Sequence, residues 1–157
     1  MTHLIEREQL VPAELDEVFA FFSQARNLQD LTPPWLHFEV LTPEPIEMCR
    51  GRLIDYRLRL HRVPLRWTSL IEAWAPQRSF VDRQLRGPYR LWHHTHEFEP
   101  AAGGTQVRDR VRYDLPLGPL GQLAHASFVR RDLERVFAFR HQAMIRLLGG
   151  GQATAAR

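Results

Sequence analysis

The 157-residue sequence has no lysine and a single cysteine, Cys49. One thiol excludes an internal disulfide and any metal site built on several cysteines, a usage that suits a reducing compartment. No apolar run approaches the length of a membrane span, and Glu6, Arg7 and Glu8 interrupt the stretch where a signal peptide would need continuous hydrophobic residues. The chain is therefore expected in the cytoplasm, without integral membrane association. It also lacks a glycine-rich phosphate loop and a serine in a recognisable nucleophile setting. Neither sign of charge is in large excess, since 21 basic residues against 18 acidic ones leave a formal net charge of +3. All the basic charge is arginine, and Arg57, Arg59, Arg83, Arg108, Arg110 and Arg112 fall on strand faces opposite the apolar positions. That pattern predicts a solvated outer face balanced by acidic neighbours. A nucleic-acid footprint would want clustered charge with stacking aromatics, so no nucleic-acid partner is expected.

What is present fits one soluble globular domain: 44% hydrophobic and 25% charged residues are too apolar for a disordered chain. A chain of this length buries roughly two-thirds of its unfolded surface around a single core. One domain is expected over residues 1–149, with a disordered tail over 150–157 after the Gly149-Gly150-Gly151 stop. His3 to Val11 reads as an edge strand ending at Pro12. Leu15, Val18, Phe19 and Phe22 then recur at helical spacing, with Asp16 and Glu17 near the start. Ala25 to Leu31 predicts a second short helix, stopped by Thr32-Pro33-Pro34, and Trp35 follows on a loop.

From Glu39 to Tyr113 the period changes to that of strands, about six, punctuated by prolines and glycines. Ile54, Tyr56, Leu58 and Leu60 share one face, as do Val107, Asp109, Val111 and Tyr113. Trp67 and Trp74 differ by seven positions and so lie on opposite faces of a regular strand unless a bulge intervenes. After Pro116-Leu117-Gly118-Pro119 a long amphipathic helix reaches Leu148, with apolar positions at Leu133, Val136, Phe137, Phe139 or Arg140, Met144, Leu147 and Leu148. His125 and His141 on that helix read as fillers.

Phe80 through Glu99 reads as two strands about the turn Gly87-Pro88-Tyr89-Arg90. Alternation collects Phe80, Asp82, Gln84, Trp92, His94, His96 and Phe98 on one face. Counting out from the turn sets Gln84 opposite Trp92, Asp82 opposite His94 and Phe80 opposite His96. This is a polar cluster framed by aromatics, and more polar groups than a solid core of this size buries without water or ligand.

The element order resembles that of the SRPBCC superfamily, the START-like or helix-grip fold, and in particular its bacterial polyketide cyclase/dehydrase-like, ligand-binding branch. The resemblance covers nearly the whole chain. It is carried by Val18-Phe19, by Asn27-Leu28 with Leu31-Thr32-Pro33-Pro34-Trp35, and by Phe80-Val81-Asp82-Arg83-Gln84. Gly87-Pro88-Tyr89 with Trp92-His93-His94-Thr95-His96-Glu97-Phe98, the segment Asp109 to Tyr113 and Pro116-Leu117-Gly118-Pro119 complete it. It implies an α+β fold in which a strongly curved antiparallel sheet of six to seven strands wraps a long C-terminal helix, with two short helices after the first strand. It implies no catalytic residue, because the superfamily shares none.

The residues themselves therefore carry the functional reading. Tyr56, Phe80, Asp82, Gln84, Trp92, His94, His96, Phe98, Asp109 and Tyr113 are expected to contact a small, largely apolar molecule with a polar head, of lipid, polyketide or isoprenoid type. No cofactor and no metal is expected, although two imidazoles and a carboxylate form a ligand set. The alternatives are an enzyme of cyclase, dehydrase or isomerase type using Asp82 and His94 as an acid-base pair, and a protein-interaction module. A plain packed core in which Asp82 and His94 satisfy each other also stands. Thr32-Pro33-Pro34 with Trp35 reads as a lid at the cavity mouth or as structural punctuation, and homodimer formation stays open.

Overall fold

Period-two alternation resolves into seven strands in the structure, a computed structural model that describes residues 1–150. They are β1 (His3–Val11), β2 (Glu39–Val40), β3 (Leu53–Leu60), β4 (Val63–Ala75), β5 (Ser79–Arg86), β6 (Leu91–Ala101) and β7 (Gly104–Asp114). One antiparallel sheet in the order β1-β7-β6-β5-β4-β3-β2 contains them all, with β1 at an edge as its sequence suggests. Helix α1 (Leu15–Phe22) buries Val18, Phe19 and Phe22, and its first-turn Asp16 and Glu17 favour the helix dipole. The second short helix is a tight 3-10 turn, Ala25–Gln29. Trp35 lies in another such turn, Pro34–Leu36, which ends where His37 turns left-handed at φ 45°.

The terminal helix is continuous from Gly118 to Leu148 but changes pitch: α2 (Gly118–Ala124) widens into a π turn (His125–Val129) and resumes as α3 (Arg130–Leu148). Leu133, Phe137, Arg140, Met144 and Leu148, buried together with Ala143, are spaced three and four apart on one stripe facing the sheet. Against β1 and β7 that stripe builds two clusters, one of Ile5, Val111, Tyr113, Leu133 and Phe137, the other including Val11, Phe98, Met144 and Leu148 with the α1 aromatics. A third cluster, with Ile54, Tyr56 and Ile71 at its centre, lies on β3 and β4, and the space between it and the helix is unfilled.

The arginine face points outward, with Arg57 on Glu39, Arg83 on Glu72, Arg108 on Glu8 and Glu99, and Arg110 on Glu6. Trp67 and Trp74 do not lie on opposite faces. Ile71 pairs with Asp82 and Ala73 with Val81, which leaves Glu72 as an extra residue, and that bulge flips the alternation. Trp67 therefore joins the third cluster, while Trp74 packs on Phe19 and Phe80. From residue 151 on, the expected tail lies outside the described residues. No helix among the described residues is long and apolar enough to cross a membrane.

Candidate functional site

Strand register fixes the site. Phe80 pairs with His96 and Asp82 with His94 across β5 and β6, and β7 sets Asp109 directly opposite His96. Asp82, His94, His96 and Asp109 thus share the inner face, and Arg140 reaches them from the helix stripe between Phe137 and Met144. The hydrogen bonds run diagonally. His96 Nε2 donates to Asp82 Oδ2 at 2.7 Å, and His94 Nε2 donates to Asp109 Oδ1 at 2.7 Å. His96 Nδ1 lies 3.2 Å from the same Asp109 oxygen, and Arg140 approaches Asp109 through Nε and Nη2 at 3.4 Å each. The expected Asp82–His94 pair is therefore not the bond formed, its nearest approach being 3.8 Å. Diagonal neighbours are within reach of long side chains, and here they win because Asp109 offers His94 a partner that a two-strand reading lacks.

The two stacked imidazoles, 3.7 Å apart, are driven to different charge states. Burial would lower His96, but hydrogen bonds to Asp109 and Asp82 and their negative charge raise it above its ordinary value. Burial, then the charge of His96, lowers His94, and these outweigh its bond to Asp109. Burial alone would raise Asp109; the Arg140 charge and the hydrogen bonds from both imidazoles overrule it and hold it well below the usual carboxylate range. Asp82 is likewise lowered against burial, chiefly by the His96 bond. Below the raised value of His96 the two carboxylates, its imidazolium and the Arg140 guanidinium balance in charge, while His94, lowered, stays neutral with its proton on the Nε2 that bonds Asp109.

This network closes one wall of a cavity of about 660 Å³, within the usual range for a small-molecule site. Of the residues expected to line it, Tyr56, Phe80, Asp82, Trp92, His94 and His96 do. Gln84 does not. Its amide caps the β5–β6 turn, donating to the Tyr89 carbonyl at 2.6 Å and accepting from the Tyr89 N–H at 3.2 Å, in space that a side chain at Gly87 would occupy. Phe98 lies in the core under α1, stacked among Phe19, Phe22 and Phe80. Asp109 stands behind His94 and His96 rather than on the wall, and Tyr113 packs in the Leu133 cluster with its hydroxyl 2.8 Å from His125 Nε2. Trp35 is at the cavity edge against Phe139 and Arg135.

Sequence reasoning missed Trp67, Tyr89 and above all Arg140 as cavity residues. The signal for Arg140 was its place in the apolar stripe, where a charge between Phe137 and Met144 demands a buried partner. Beside the network, Asp82 Oδ1, His94 Nδ1, Arg140 Nη1 and the Tyr56 hydroxyl have no protein partner among the described residues, and all four belong to cavity-lining residues. Burial, with the Asp82 charge second, raises the Tyr56 phenol, so it stays protonated. Asp82, His94 and His96 also bring one ligand atom each within 4.8 Å of one another, the spacing of a mononuclear metal site. An ion there would first have to break the His96–Asp82 bond. As it stands, the site can accept hydrogen bonds from a ligand or take a proton at His94 Nδ1.

Comparison with known proteins agrees with this architecture. Residues 11–140 match the family model described as polyketide cyclase / dehydrase and lipid transport. No curated protein matches the chain. Among solved structures, the aromatase/cyclase ZhuI of Streptomyces sp. R1128 superposes with a TM-score of 0.67 at 16% identity, over 96% of this chain and 99% of that one. One half of the di-domain aromatase/cyclase StfQ of the steffimycin pathway gives 0.71 at 13% identity, over 98% of this chain and 52% of that one. A protein of Chromobacterium violaceum gives 0.71 at 12% identity, over 92% and 96%. At such identities the likeness carries the fold alone.

Proposed function

The chain belongs to the polyketide cyclase, dehydrase and lipid-transport family, and from that premise we propose that it binds a small, largely apolar molecule whose polar head meets Asp82 and His94. The observation that carries this reading is a cavity of about 660 Å³, walled by aromatics, with a charged network whose unpartnered atoms, Asp82 Oδ1, His94 Nδ1 and Arg140 Nη1, belong to residues lining that cavity. A packed core would have closed those atoms. A body contacted by Trp67, Trp92, Tyr56 and Phe80 would supply most of the affinity, and the polar end would set orientation.

A second reading is favoured by one arrangement. His94 is neutral, its Nε2–H is anchored on buried Asp109, and its Nδ1 is free on the cavity wall, which is how a general base is held. The acid-base partner of His94 is then Asp109, with Arg140 and His96 positioning that carboxylate, and Asp82 is left to orient the ligand. Such a base serves enolisation, cyclisation or dehydration of a bound carbonyl compound.

Native mass spectrometry of the purified protein, followed by denaturing release, tests the binding reading. A copurifying organic molecule, retained by wild type and lost from Trp92→Ala protein that still folds, is the expected result. If nothing copurifies and no apolar probe binds saturably, the cavity is an unliganded feature of the fold. If His94→Gln keeps the released molecule but changes its mass or double-bond content relative to wild type, His94 acts on it chemically.

A further inference from the structure

The ligand's polar end has its own chemistry written in the wall that meets it. Resting on the binding reading above, we infer that the head group is neutral and donates a hydrogen bond, as a phenol, enol or alcohol does, and is not a carboxylate or phosphate. Asp82 is the most open charged group of the network, its side chain 20% exposed and Oδ1 without a protein partner. A ligand anion beside it would meet like charge in a poorly solvated space. The nearest cation, Arg140, turns Nε and Nη2 to Asp109, whose charge cancels it, so its one unpartnered nitrogen, Nη1, offers an anion little net attraction. The other nearby cation, His96, has its two nitrogens directed at Asp82 and Asp109.

The open atom of His94 beside Asp82 is an acceptor too. His94 Nε2 carries the ring proton because it bonds Asp109, so Nδ1 presents a lone pair. A ligand O–H between Asp82 Oδ1 and His94 Nδ1 has two acceptors available, and Tyr56 can donate to a carbonyl on the same ligand. A head that is only an acceptor leaves both wall atoms without a ligand partner. A cationic head would upset a network already summing to zero.

Three probes of nearly equal size separate these cases by isothermal titration calorimetry at pH 7: 2-naphthol, 2-methoxynaphthalene and 2-naphthoate. 2-Naphthol should bind about tenfold more tightly than the methyl ether, the value of roughly one hydrogen bond. 2-Naphthoate should bind more weakly still. Asp82→Asn should bring naphthoate and naphthol several-fold closer together while leaving the methyl ether unchanged, which also certifies the variant's fold. Naphthoate binding as tightly as naphthol, or equal binding of all three, would overturn the inference and leave the binding reading intact. If none of the three binds, both fall.

Discussion

At the scale of single residues, two imidazoles in van der Waals contact carry opposite pKa shifts, and the sign of each makes a testable profile. His96 is raised, so its contribution to stability is fully present below pH 6.5, the unfolded value, and is lost as pH rises through its higher folded value. His94 is lowered, so the unfolded chain binds the proton that the folded chain refuses. Stability therefore rises with pH from the folded value up to 6.5. Asp82 and Asp109, both lowered, add stability that is present above the unfolded carboxylate value and is lost only as pH falls through their own folded values. His125 is lowered by burial and by the His3 and Arg130 charges, and works with the sign of His94. Urea denaturation from pH 5 to 9 should show maximal stability near 6.5, and His96→Gln should flatten the alkaline fall and, because the His96 charge is part of what lowers His94, ease the acid fall in part. An alkaline limb unchanged in that variant would refute the charged assignment of His96. Which residues belong to this network was legible in part: alternation placed Asp82, His94, His96 and Asp109 on the inner face. Who bonds whom was not, because the partner of His94 comes from β7, and a hairpin read alone contains two strands.

At the scale of elements, the helix and the β3–β4 hairpin meet at the cavity mouth. The hairpin turn, His61-Arg62, has both residues at positive φ, and His61 Nε2 lies 2.6 Å from Asp132 of α3 with Phe128 edge-on to its ring. With side chains 63% and 33% exposed, this pair contributes at most about 1 kcal/mol to stability. Its larger effect is on access, since His61, Phe128 and Asp132 all line the cavity. Asp132→Asn should leave the urea midpoint almost unmoved while raising both association and dissociation rates of 2-naphthol several-fold in stopped-flow fluorescence. Rates equal to wild type would show that the clasp does not gate the mouth. The elements were largely readable, β1 to the residue and the terminal helix from its prolines to Leu148, because burial imposes the period on the sequence. The Glu72 bulge was not, since one unpaired residue leaves no trace except two tryptophans whose spacing looks wrong. Nor was the fold-back of Gln84, which depends on empty space above Gly87 rather than on any pattern in β5.

At the scale of the molecule, the fold divides into a packed half and a hollow half. β1 and β7, with the adjoining end of β6, hold the helix through Ile5, Val111, Leu133 and Phe137 and through the Phe98, Met144 and Leu148 cluster. On the other side β3 and β4 face the cavity through Ile54, Tyr56, Leu58, Trp67 and Ile71, with the Trp35 turn along its edge. Atoms lining a void lack partners on one side and forfeit dispersion contacts, so the hollow half is held less firmly than the packed half. Amide exchange in that half is therefore expected to proceed by local opening, at lower free energy than global unfolding. A ligand that fills the void supplies the missing contacts there, and at a hundred times its dissociation constant stabilises the folded state by about 2.7 kcal/mol. Hydrogen exchange read by mass spectrometry should show saturating 2-naphthol slowing β3, β4 and residues 34–38 most. β1 and β7, which belong to the packed half, should be slow without ligand. Protection confined to β1 and β7, or to the outer arginine face, would place the ligand elsewhere. Equal slowing of every segment would mean that the two halves unfold as one, and that the cavity is not a separately weakened part of the fold.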